Sequence, residues 1–266
     1  MHFHFDLSAV LILWTLTFAA LLVLLAVLVG RERMRRFPWF TASIAFLALR
    51  MMVNRLVYGH VAPIPMSVIF FALADLAVVI NLLVLVEMAR RGFRGATRGK
   101  WVAGILATVA IAAAVVIAWG PWPAWKTVTA ASELARIRLM QLASQKGDML
   151  AAVLAVELGF LIVLFGRRFH AGWRRHTQRI VIGLSTAALS LLTTRAILEY
   201  VGMHATIHSH KDLARILAFQ SHVANSNSVV YLCVLIWWIA SLWADEPQRS
   251  ADQTATVADP DTDHHR

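Results

Sequence analysis

The residues best equipped for chemistry are ionisable groups set inside long apolar stretches. Arg50, Asp75, Glu157, Arg195 and Glu199 lie in such stretches, and Asn54, His222, Asn225 and Asn227 accompany them. A charged side chain in hydrocarbon costs roughly 3 kcal/mol on insertion scales, so these groups turn inward and either pair or border water. Arg50 with Asn54, and Arg195 with Glu199, are four residues apart and share a helical face. Two arginines facing Asp75, Glu157 and Glu199 form a nearly balanced cluster. It is either an outward-open pocket for a polar or anionic ligand or a clamp of ion pairs and amides holding helices together. The sequence leaves both open. Glu87 and Arg55 lie near segment ends, where they can snorkel, and carry little weight.

A second group is histidine-rich. The run GMHATIHSHK contributes His204, His208 and His210. On a helix, His204 and His208 would share a face and could hold Zn²⁺ or Cu²⁺, with Glu199 or Asp212 completing the site. The arrangement is loosely similar to that of seven-span lipid amidases, which use membrane histidines and an aspartate, although these histidines fall in a loop. Metal-free loop histidines are the simpler reading. Other cofactors are excluded by position. Retinal requires a buried lysine, and Lys100, Lys126, Lys146 and Lys211 all fall outside the apolar stretches. Membrane haem requires facing histidines, but His170 and His176 are in a loop. No phosphate-binding loop or serine elbow occurs.

The elements that must position these residues follow from composition. The chain has 266 residues, 59% hydrophobic and 15% charged, with a mean hydropathy of +0.65. Soluble domains carry roughly a quarter charged residues, so water is the wrong solvent for most of this chain. One cysteine, Cys233, excludes a fold built on internal disulfides. Membrane helices need about 20 apolar residues. Seven segments qualify: 7–30, 38–58, 64–88, 101–120, 148–166, 180–202 and 220–243. The expectation is an all-α bundle of seven transmembrane helices over 1–244, followed by a disordered acidic cytoplasmic tail over 245–266.

Orientation follows from charge. The connections RERMRR, RRGFRGATRGK and RRFHAGWRRHTQR carry four, five and five Lys/Arg, against six on the opposite side. The N-terminus is therefore expected outside and the C-terminus inside. Trp39, Trp101, Trp173 and Trp243 mark the inner edge; Trp119, Trp122 and Trp125 mark the outer one. The basic excess thus signals topology and a lipid bilayer partner, not nucleic acid. The opening MHFHFDLSAV lacks a basic n-region, so the first span is expected to be retained. Between the fourth and fifth spans, Leu134, Ile137, Arg138 and Gln141 suggest an external helix or an extension of the fifth span, with Gly147 ending or bending it. Aligning LALRMMVNRLVYGH with LTTRAILEYVGMH suggests a parallel three-plus-one-plus-three repeat, with the fourth span as linker or peripheral helix.

RRFPWFTASIAFLALR and VVYLCVLIWWIASLW resemble an uncharacterised family of bacterial seven-span integral membrane proteins. The resemblance implies this fold and an inner (plasma) membrane location, and transfers no activity. The leading expectation is a non-enzymatic receptor-like or partner-binding membrane module. The alternatives are a small solute transporter and a metal-dependent membrane hydrolase.

Overall fold

The computed structural model describes residues 9–93, 98–119, 122, 132–165, 175–205 and 209–244. Among them are eight helices: α1 (Ala9–Gly30), α2 (Arg33–Arg36), α3 (Pro38–Val57), α4 (Pro63–Gly92), α5 (Arg98–Ala118), α6 (Glu133–Phe165), α7 (Arg175–His204) and α8 (His210–Trp243). No strand occurs among the described residues. Helix starts are encoded locally. Pro38 and Pro63 occupy the first turns of α3 and α4, where no N–H is needed. Ser209 caps α8 by accepting from the Asp212 amide at 3.2 Å. Gly59, at φ 80, makes the α3–α4 turn in the left-handed region.

Helices α1, α3, α4, α7 and α8 are each long and apolar enough to cross a membrane. Large apolar side chains such as Val23, Leu49, Val79, Phe160 and Ile236 point outward, a surface suited to lipid rather than water. This is the make-up of an integral membrane protein.

Six helices form a closed ring in the order α1, α3, α4, α6, α7, α8 and back to α1, while α5 packs outside against α6. One end of the ring is densely packed. Leu24 and Leu28 of α1, Phe40 of α3, Met88 of α4, Ile180 of α7 and Trp238 and Leu242 of α8 are essentially inaccessible there. Arginines tie that rim together. Arg33 donates to the Ala244 carbonyl at 3.3 Å and Arg179 to the Ser241 carbonyl at 3.2 Å. Arg31 lies over Trp243 and Arg91 over Phe37, at 5.0 and 4.8 Å.

One pair of alternatives is decided here and two expectations change. The segment carrying Leu134, Ile137, Arg138 and Gln141 is no separate helix; α6 runs unbroken from Glu133, about 50 Å at 1.5 Å per residue. Gly147 does not end it. A Cβ there would sit 2.7 Å from Val78, so the glycine lets α4 and α6 approach closely. Glu87 does not snorkel: it is 7% exposed and its Oε2 accepts the Trp39 and Phe40 amides at 3.1 and 3.2 Å. The 245–266 tail lies outside the described residues, as do Trp125 and Trp173.

Candidate functional site

The ring is loosely filled above the packed end. A cavity of about 490 Å³ opens between α3, α4, α6, α7 and α8, within the size range of small-ligand sites. Its floor is apolar: Phe40 and Trp238, stacked edge to face at 5.1 Å, with Val84 and Leu85. Its upper wall is polar and carries Arg50, Asp148 and Asn227. Between them, Ser43 donates to Asn81 Oδ1 at 3.1 Å and Ser190 to Asn227 Oδ1 at 2.8 Å.

The central carboxylate is Asp148, which the sequence analysis treated only as the first residue of a span. Arg195 donates to Asp148 Oδ2 at 3.3 Å and to the Gln145 carbonyl at 2.8 Å. Arg50 and Asp75 are near enough for their charges to act on Asp148. Neither makes an ion pair or hydrogen bond among the described residues. Arg50 rests instead over the Phe70 ring at 5.6 Å. Of the expected cluster, Arg50, Asp75 and Arg195 therefore do converge, through a fourth residue. The missed signal was depth: once α6 extends outward from Gly147, Asp148 falls inside a helix rather than at its start.

The other expected members lie elsewhere. Glu199 accepts from Trp119 Nε1 at 2.7 Å, so it ties α7 to the end of α5 instead of facing Arg195. Asn54 and Asn225 are half-buried and make no side-chain hydrogen bond among the described residues; His222 is exposed. Beside Glu199, Lys146 donates to the Val116 carbonyl at 3.3 Å and to that of Trp119, and lies over the Trp122 ring at 4.5 Å. It thereby satisfies carbonyls left open at the α5 C-terminus.

Glu157 is displaced for a geometric reason. It follows Lys146 by eleven residues, about three turns, and so shares the α5-facing side of α6, away from the cavity. Both its carboxylate oxygens are buried and make no hydrogen bond among the described residues. An unsatisfied buried polar group costs about 1–3 kcal/mol. Glu157→Leu is accordingly expected to raise thermal stability in detergent, and a fall would show that the carboxyl has a partner. Asp148→Ala should lower stability by about 1–2 kcal/mol by stranding Arg195, and the double change with Arg195→Leu should recover most of the loss in a thermal-unfolding cycle.

Among the described residues the histidines form no metal-ligand group. His204 ends α7, its ring stacked on Tyr200 at 4.3 Å, and its Nδ1 is 2.9 Å from the Tyr200 carbonyl. His210 begins α8 and is exposed; His208 lies outside the described residues. Among the described residues no three His, Cys, Asp or Glu side chains group as metal ligands. No protein-family model, curated protein or solved structure matches the chain.

Proposed function

We propose that the chain is a seven-span inner-membrane protein acting as a receptor-like, non-enzymatic binding module, whose cavity takes a small ligand through Arg50. One observation carries this reading: Arg50 lines the cavity, and its guanidinium, with five donors and a fixed charge, makes no hydrogen bond or ion pair within the described residues. An arginine whose only role was to clamp helices would be spent on a carboxylate, as Arg195 is. The apolar parts of α5 (Ala107–Ala118) and α6 supply the two further spans. The arginine-rich rim at the packed end supports a cytoplasmic C-terminus and an outward-facing cavity. Screening a panel of small organic acids by thermal shift, with the purified chain in lipid nanodiscs, tests the proposal. Hits should stabilise the wild type and lose that effect in Arg50→Gln. Equal shifts in both, or no hit, would overturn it.

A second reading, a small transporter, is favoured by one specific feature. The Ser43–Asn81 bond joins α3 to α4, and the Ser190–Asn227 bond joins α7 to α8. Ser43 and Ser190, Asn81 and Asn227, and Arg50 and Arg195 are separated by 147, 146 and 145 positions. With α5 outside the ring, this suits two parallel three-helix halves facing each other across the cavity. Flux of a hit compound into proteoliposomes, absent in Arg50→Gln, would select this reading; binding without flux would select the receptor.

A further inference from the structure

The cavity has a polarity gradient along its length, and that gradient says what shape of molecule fits. At the polar end are Arg50, Asp148 and Asn227. Asp148 Oδ2 is engaged by Arg195 and Asn227 Oδ1 by Ser190, whereas Arg50 makes no hydrogen bond or ion pair among the described residues and only rests over Phe70. Asp75 lies outside the lining, although its charge reaches Asp148. With it the four-residue cluster is neutral overall, so an incoming anion is held by local contact with Arg50 and not by a general positive field. From Arg50 to Phe40 is ten residues of α3, about 15 Å. Over that distance the wall is mostly apolar, with Ile44, Leu47, Ala151, Leu184 and Ala188 beside Ser43, Asn81 and Tyr231, and it ends on the Phe40–Trp238 pair. The serine and asparagine side chains along the way are joined to one another, which lowers their demand on a ligand.

We infer that the cavity holds one single-chain amphiphilic acid of the fatty-acid type, its carboxylate on Arg50 and its hydrocarbon chain laid down to the aromatic floor. This rests on the ligand-binding reading above and adds the ligand's class. Length follows from geometry. Three backbone bonds extend about 3.3–3.6 Å, roughly 1.2 Å per bond, so 15 Å accommodates an extended chain of about twelve bonds.

The test is saturable binding of straight-chain carboxylates of graded length to the full chain in nanodiscs of zwitterionic lipid, with empty nanodiscs subtracted. Affinity should rise about fourfold per methylene, the factor equivalent to burying one, up to about twelve chain atoms, and fall beyond that length. The methyl ester of the best acid should bind about tenfold or more weakly, having lost a charge-assisted bond. Arg50→Gln should bind acid and ester alike, Asp75→Asn should bind the acid more tightly, and Ala188→Leu should move the optimum to a shorter chain. Because the ester comparison uses the wild type, it decides even where a variant fails to fold. Arg50-dependent binding of short acids with no effect of chain length would overturn the amphiphile while leaving the binding site standing. Affinity that climbs with length without an optimum, equally for acid and ester, would reduce the signal to bilayer partitioning. No saturable binding of any acid would remove both readings.

Discussion

Glu87→Ala is expected to lower unfolding stability by about 3 kcal/mol, a loss in the range for a buried ion pair stripped of one partner. Three donors lose their acceptor at once. Pro38 has no N–H, so the first free donors of α3 are the amides of Trp39 and Phe40. The N-cap residue Phe37 offers no side-chain acceptor. Glu87 of α4 supplies one, with Oε2 on both amides and Oε1 on Arg91 at 3.0 Å. A carboxylate at a helix N-terminus also complements the helix dipole. Glu87→Gln keeps an acceptor but not the charge, and should lose about 1 kcal/mol. Thermal unfolding followed by circular dichroism, in one detergent for all three proteins, checks the order. Equal stability of wild type and Glu87→Ala would show that α3 finds its cap elsewhere.

Gly183→Ala is expected to cost about 3 kcal/mol as well, at the upper end for an overpacked core. The added methyl would collide with Trp238 Nε1 and sit 2.6 Å from Cε2. Trp238 cannot yield cheaply: it is 2% exposed and its ring is wedged edge to face on Phe40. The same thermal assay should show partial rescue by Trp238→Leu. Gly202→Ala is the control, since nothing lies within 4 Å of a Cβ there. It should be neutral or stabilising, because alanine is the better helix former. A mild effect of Gly183→Ala would mean that α7 and α8 slide apart easily.

The helices themselves were legible because apolar length and proline starts are local signals: the second apolar segment, 38–58, becomes α3 over Pro38–Val57. The cluster was legible in part. Arg50, Asp75 and Arg195 stand out as costly residues in apolar runs, and the structure gathers them. Their partner Asp148 did not stand out, because it closes the polar run SQKGD and passes for a segment end. Glu157 and Glu199 were drawn into the cluster by charge alone. Rotation about α6 and the reach of Trp119 from α5 decide otherwise, and neither is a property of a single segment. Glu87 was discounted for a related reason: a carboxylate near a helix end is free to snorkel only if no neighbouring helix begins beside it. The glycines at 147 and 183 likewise mark close helix approaches only once the facing Val78 and Trp238 are known.

Two of the ring's helix contacts are unlike each other. At α4–α6, Gly147 is interlocked with Val78. At α8–α1, the rim contacts come from Arg31 over Trp243 and from Arg33, in the short α2, on the Ala244 carbonyl. The second contact is also closed by apolar packing, with Leu24 and Leu28 of α1 and Leu235 and Leu242 of α8 buried in one core. Because Gly147 stands next to Asp148 of the cavity wall, its missing side chain fixes how near α4 comes to α6 beside the void, and any larger residue there would push those two helices apart and widen it.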